Sequence, residues 1–139
     1  MSRPYAFFDH TADIGIRASG ARLDEVFIAL ARGLTELLVE DSQIGSTQTR
    51  TVTVAAPEVE SLLLAWLQEL LVLFSIERFV PIAYAMERLT ATALTCRVTG
   101  DVFDPARHTQ GREVKAITRH QLTVRQEDGV WHGQVIVDI

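Results

Sequence analysis

An acidic cluster near the start of the chain is the first feature that could carry chemistry. The segment reads Asp9-His10-Thr11-Ala12-Asp13-Ile14-Gly15, within an alternating stretch from Phe7 to Ala18 that predicts one strand. Alternate strand residues share a face, so Asp9, Thr11 and Asp13 would place two carboxylates beside a hydroxyl. Like charges held close together favour a bound cation, or retention of a proton by one of them. A solvated strand start with an Asx-type turn fits the same spacing, so both interpretations stay open.

The residues Asp138 and Ile139 form a second candidate site. They follow the apolar run Val135–Val137, which predicts a final strand that the sheet holds in place. A carboxylate and main-chain oxygens would then lie together at the end of the sheet. Such oxygen ligands suit Ca²⁺ or Mg²⁺ better than zinc.

Lys115 is the third candidate, in the segment Glu113-Val114-Lys115-Ala116. It has the polar parity of its predicted strand. A lysine near a carboxylate cluster can pair with it, or can hold a phosphate as a point charge. A solvated strand lysine is the alternative.

Three further ionisable residues are harder to place. His120 shares strand parity with Val114 and Leu122, which predicts a core histidine. His108 lies in the polar loop between residues 100 and 111, where a binding role stays open. Glu69 interrupts an apolar helix, so it either faces solvent or reaches Lys115 or the ion.

Composition excludes several functional classes. The 139 residues carry a net charge of −5, which does not suit non-specific binding along a nucleic-acid backbone. The only cysteine is Cys96, so thiolate metal cages and an internal disulfide are excluded, and its alternating surroundings predict a buried strand residue. The chain has no Gly-rich phosphate loop, no Gly-x-Ser-x-Gly and no His-Glu-x-x-His motif.

The elements that must position these residues follow from periodicity. Apolar residues at helical spacing predict a helix over Leu23–Val39, and a second helix, apolar nearly all round, runs from Pro57 to about Glu77. The remainder predicts strands joined by short turns, including an Asp-Gly hairpin turn at 127–129. We therefore expect one α+β domain over residues 1–139, a mostly antiparallel six-stranded β-sheet sandwich with two helices packed on one face.

Four segments together resemble the archease family over essentially the whole chain. The opening run 8–16 resembles its first signature, and Trp66-Leu67-Gln68-Glu69-Leu70-Leu71 its second-helix motif. The segment from Glu113 to Thr118, followed by His120, resembles a third motif, and Val137-Asp138-Ile139 the chain ending. Arg119 departs from the pattern, which has an aromatic residue there.

The resemblance implies a compact archease fold with a divalent metal ion, Ca²⁺ first, with Mg²⁺ or Mn²⁺ as alternatives. Carried over by position, the metal ligands are Asp13, Asp138 and the main chain of Ile139. Lys115 matches a position tied to activity, and Asp9 and His10 in the opening signature are grouped with it as activation-related residues.

The implied role is that of an accessory protein, not an enzyme. It would activate an RtcB-type RNA-splicing ligase in tRNA splicing or RNA repair. It would do so by promoting guanylylation of the ligase and its multiple turnover, and it would contact RNA only through the ligase. A metal-dependent phosphohydrolase using Asp9, Asp13 and Asp138 is the alternative, and a plain RNA-binding module a third reading that the charge disfavours. The N-terminus does not resemble a signal peptide and the apolar run 62–76 is short for a membrane span, so we expect a cytoplasmic protein without a membrane partner.

Overall fold

The computed structural model of the protein describes residues 4–10, 13–40 and 43–139. Within these ranges the chain alternates strands and helices in the first half and continues as strands. The elements in order are β1 (Tyr5–His10), β2 (Asp13–Gly20), α1 (Leu23–Leu38), β3 (Val39–Glu40), β4 (Gln48–Ala55), α2 (Val59–Glu77), β5 (Phe79–Leu89), β6 (Ala93–Val102), β7 (Thr109–Gln110), β8 (Ala116–Glu127) and β9 (Val130–Asp138).

The strands form two main antiparallel sheets. One has four strands in the order β1-β2-β9-β8, and the other has three in the order β4-β6-β5, while the short β3 and β7 pair separately. The α+β class and the antiparallel pairing are confirmed. The predicted number of six strands is approximate, because the described residues form seven strands in the two main sheets and a further short pair, β3 and β7. Both helices contact strands of both main sheets, so the apolar core lies between the helices and the two sheets.

Helix α1 forms where the apolar residues recur on one face. Its first turn carries Asp24 and Glu25, which suit the positive end of the helix dipole, and the Glu25 carboxylate accepts a hydrogen bond from the Arg22 N–H at 3.0 Å. The helix ends where the β-branched Val39 takes an extended conformation and the chain enters β3. Its buried stripe, including Phe27, Leu30 and Leu34, packs against β2 and β9.

Helix α2 is apolar on most of its surface because it contacts several strands at once. By length and composition it could span a membrane, with a mean hydropathy of 1.7, but seven of its residues are buried in the core. Trp66 is fully buried and its indole N–H donates to the carbonyl oxygen of Phe27 at 3.0 Å, which ties α2 to α1. The helix begins at Val59, after Pro57, two residues later than predicted.

Two strand predictions are wrong in ways that bear on the site. The single strand expected over residues 7–18 is a hairpin, in which β1 pairs with β2 from Tyr5 opposite Ala18 to His10 opposite Asp13. His120 is exposed, because β8 shifts register against β9 between Thr118 and Thr123 and breaks the strand parity.

Two local predictions are confirmed. Cys96 is fully buried in β6, and burial raises the pKa of its thiol to about 11. The hairpin turn between β8 and β9 has left-handed backbone at Asp128 and Gly129, as an Asp-Gly turn requires.

Candidate metal and activation site

Asp13 and Asp138 lie directly opposite each other on β2 and β9. Opposed residues of an antiparallel pair share a face, with Cβ atoms about 4.5–5.5 Å apart. Ile14 and Val137, the next pair, point the other way into the core. The two half-buried carboxylates therefore emerge together on the outer face of the four-stranded sheet, at its end.

The chain leading into β8 borders this pair. The N–H of Lys115 donates to the carbonyl oxygen of Asp138 at 2.8 Å, and Ala116 pairs with Asp138 in the sheet. The side chain of Lys115 is exposed, and Ile139 is half-buried. The backbone thus brings Lys115, Asp138 and Ile139 next to Asp13.

Asp9 does not join the carboxylate pair as expected from a single strand. The hairpin places Asp9 opposite Ile14, so it shares the core-side face with that residue while Asp13 faces outward. Asp9 is exposed and lies near Arg112 at a shallow pocket beside Phe7. The backbone of His10 pairs with that of Asp13, whereas Thr11 lies outside the described residues.

The donors present fit a hard cation with incomplete protein coordination. Among the described residues, no three His, Cys, Asp or Glu side chains are close enough together to hold a metal ion. Two carboxylates with main-chain oxygen from Ile139 are the oxygen-only set that Ca²⁺ or Mg²⁺ accepts, with water or a partner supplying the rest.

The end of β6 and the loop after it hold a separate polar cluster, which includes His108, for which the sequence left a binding role open. The guanidinium of Arg107 contacts Asp104 at 3.0 Å and Asp101 at 3.3 Å, and the N–H of Asp104 donates to Nδ1 of His108 at 2.8 Å. His108 is buried and its ring packs at 5.7 Å from that of Phe103. These contacts fix the loop conformation, and their signal in the sequence was the density of Asp and His in this loop.

Glu69 and Arg119 are the two other residues that the sequence analysis singled out. Glu69 is half-buried on α2, and Arg119 is exposed where β8 departs from regular pairing with β9.

Comparison with known proteins gives one family. Residues 5–139 match the model of the Archease protein family (MTH1598/TM1083). The protein archease of Thermococcus kodakarensis is 35% identical, with 99% of each chain covered, and that of Methanosarcina mazei is 31% identical, covering 100% of this chain and 98% of its own.

Solved structures agree. Protein 1598 of Methanobacterium thermoautotrophicum superposes with a TM-score of 0.84 at 31% identity, over 99% of this chain and 100% of its own. The Thermotoga maritima archease, described as a possible chaperone, gives a TM-score of 0.60 at 20% identity over 100% of this chain and 98% of its own, which supports the fold. With a family match and relatives that both run the length of the chain, this protein belongs to the archease family.

Proposed function

We propose that this archease is an accessory protein that activates an RtcB-type RNA-splicing ligase, in the cytoplasm, during tRNA splicing or RNA repair. The observation that carries the proposal is the register that sets Asp13 opposite Asp138, with Lys115 and Ile139 alongside. In this proposal Asp13, Asp138 and the main chain of Ile139 hold a divalent cation, Ca²⁺ first. Lys115, with Asp9 and His10, would meet the partner.

Charge and geometry support a helper over a self-contained catalyst. The pair lies on rigid strands, so the carboxylates are held in place before any partner binds. A chain with a net charge of −5 suits a cationic active-site mouth on a partner protein. When bound, the cation would neutralise phosphate charge, which supplies much of the acceleration in phosphoryl transfer.

The phosphohydrolase alternative is not supported. It needs Asp9, Asp13 and Asp138 around one metal ion, but Asp9 lies on the opposite face of its sheet from Asp13. The relatives from Thermococcus kodakarensis and Methanosarcina mazei are named archease, and the Thermotoga maritima structure is that of an archease described as a possible chaperone.

The test is RNA ligation by the cognate ligase with and without substoichiometric archease. Wild-type protein should raise guanylylation and multiple-turnover ligation, and Asp13→Ala and Asp138→Ala should abolish the gain. Glu87→Ala, at an exposed strand carboxylate of the other sheet, is the matched control and should activate normally. Direct Ca²⁺ titration by calorimetry should show binding to the wild type and the control, and loss in both aspartate variants.

A ligase whose guanylylation and turnover do not respond to the wild-type protein would contradict the proposal. Hydrolysis of phosphoesters by the purified chain with Mg²⁺, lost in the same aspartate variants, would restore the enzyme interpretation.

A further inference from the structure

A second polar site lies on the outer face of the four-stranded sheet, away from the carboxylate pair. It is a depression of about 310 Å³, in the size range of small-ligand pockets. We call it the outer-face depression and define it by the polar side chains that line it, which are Arg17, Ser19, Thr123, Arg125, His132 and Gln134. None of the six is acidic, although the chain as a whole is.

Sheet register arranges these side chains as two rows across three strands. Ser19, His132 and Arg125 form one row, because His132 pairs with both neighbours. Arg17, Gln134 and Thr123 form the next row in the same way. Rows on one face lie about 6.6–6.8 Å apart and strands about 4.8 Å apart, so two long arginine side chains can converge on one anion.

Arg17 is held in place before any ligand arrives. Its guanidinium lies 4.2 Å from the centre of the Phe8 ring and donates to Gln134 at 3.5 Å. The ring can lie there because Gly15 has no side chain, since a Cβ at that position would come within 2.0 Å of Phe8. Pre-organising a donor lowers the entropic cost of binding.

His132 and Arg125 supply the remaining donors. Ser19 Oγ lies 3.2 Å from Nδ1 of His132, and with the hydroxyl donating, Nε2 carries the hydrogen and can donate to an anion. Arg125 pairs with Glu127, but both are more than half exposed, and such surface ion pairs are weak enough for a doubly charged ligand to compete.

We propose that the outer-face depression binds a compact phosphate anion between Arg17, Arg125 and His132. Planar guanidinium groups match phosphate oxygens in pairs, and the hydroxyl of Thr123 can donate as well. Because salt screens electrostatic interactions over about 8 Å, the acidic residues elsewhere in the chain do not cancel the positive charge of these arginines. A long polyanion would extend beyond the depression and be repelled by the acidic rest of the chain, so the ligand is a small phosphate and not an RNA strand.

This site is distinct from the proposed metal site. Asp13 and Arg17 lie on the same face of β2 but four residues apart, which is about 13 Å along a strand. Phosphate binding should therefore be unchanged in Asp138→Ala. A negative result in the ligase experiment would not contradict the phosphate-binding proposal.

The experiment is titration of the full chain with inorganic diphosphate, monitored by calorimetry and by amide chemical shifts. Arg17→Gln with Arg125→Gln should weaken binding by about tenfold or more, as expected for the loss of charge-assisted hydrogen bonds. Arg97→Gln is the matched control, because Arg97 is an equally exposed strand arginine paired with Glu87 in the other sheet. If the double variant does not fold, His132→Gln gives the same comparison with an expected smaller loss.

Parallel titrations identify the source of the phosphate. A mononucleotide should bind as well as diphosphate if its phosphate is what the depression holds, and a single-stranded RNA oligonucleotide should bind no more tightly than either. No binding of diphosphate, equal losses in the double variant and in Arg97→Gln, or preferential binding of the RNA oligonucleotide would each overturn the proposal.

Discussion

At the scale of single residues, Lys115 separates function from stability. Its side chain is exposed while its backbone N–H donates to the carbonyl oxygen of Asp138, so Lys115→Ala keeps the backbone contact and removes the exposed side chain with its ammonium group. We expect the free energy of unfolding to change by no more than about 0.5 kcal/mol, as is usual for surface sites. Ligase activation should nevertheless fall.

The check on Lys115 is chemical denaturation beside the ligation assay. Arg88→Ala, at an exposed basic residue of β5 in the other main sheet, serves as the comparison for loss of one positive charge. A large drop in stability for Lys115→Ala would make the lysine structural and remove it from the proposed activation site.

Asp101 is a buried carboxylate near the end of β6 whose pKa is shifted by its neighbours. A hydrogen bond from the hydroxyl of Thr47, then one from the N–H of Val102 and the contact with Arg107, hold the pKa of Asp101 below its ordinary value. Because the pKa is lower in the folded chain, ionised Asp101 stabilises the fold above its unfolded pKa of about 3.9, and this contribution is lost as pH falls through the folded value.

Thr47→Val should therefore raise the pKa of Asp101 towards its ordinary value and reduce its contribution to stability near neutral pH. Carboxyl NMR titration gives the pKa directly, and Thr51→Val, at an exposed threonine of β4, is the control. An unchanged Asp101 titration in Thr47→Val would show that the hydroxyl is not the main cause.

At the scale of elements, close strand contact decides which side chains are tolerated. Gly100 in β6 is buried, and a Cβ there would lie 1.9 Å from the carbonyl oxygen of Val80 in β5. Backbone cannot move aside as a side chain can, so Gly100→Ala should destabilise the fold by about 1–3 kcal/mol, the usual cost of overpacking. Denaturant unfolding measures the loss, and Arg97→Ala on the same strand should be nearly neutral.

At the scale of the whole molecule, the two helices couple the two main sheets. The side chain of Trp66 is fully buried and hydrogen-bonded to the backbone carbonyl of Phe27. Each helix contacts strands of both sheets. Loss of this side chain should therefore weaken both sheets together, without releasing one of them alone.

We expect Trp66→Ala to lower the free energy of unfolding by about 3–5 kcal/mol, as for other buried aromatic truncations. In that variant Trp131 of β9 is the remaining tryptophan, so its fluorescence follows the four-stranded sheet while circular dichroism follows the whole chain. Coincident transitions are expected. Two separate transitions would show that the sheets unfold independently.

Local patterns in the sequence determined much of this architecture. The amphipathic spacing of α1, the apolar surface of α2, the Asp-Gly turn and the buried strand position of Cys96 depend on neighbours within a few residues, and each was predictable. The family was predictable too, because its motifs are short runs that the chain displays directly.

Tertiary structure alone decided how distant residues meet. The β1–β2 hairpin turns Asp9 and Asp13 to opposite faces, and the register shift in β8 leaves His120 exposed, because one residue of slippage reverses every side chain of a strand. The same pairing sets Asp13 opposite Asp138 and gathers Arg17, His132 and Arg125 from three strands. Such registers depend on packing between segments far apart in the chain, which no local spacing encodes.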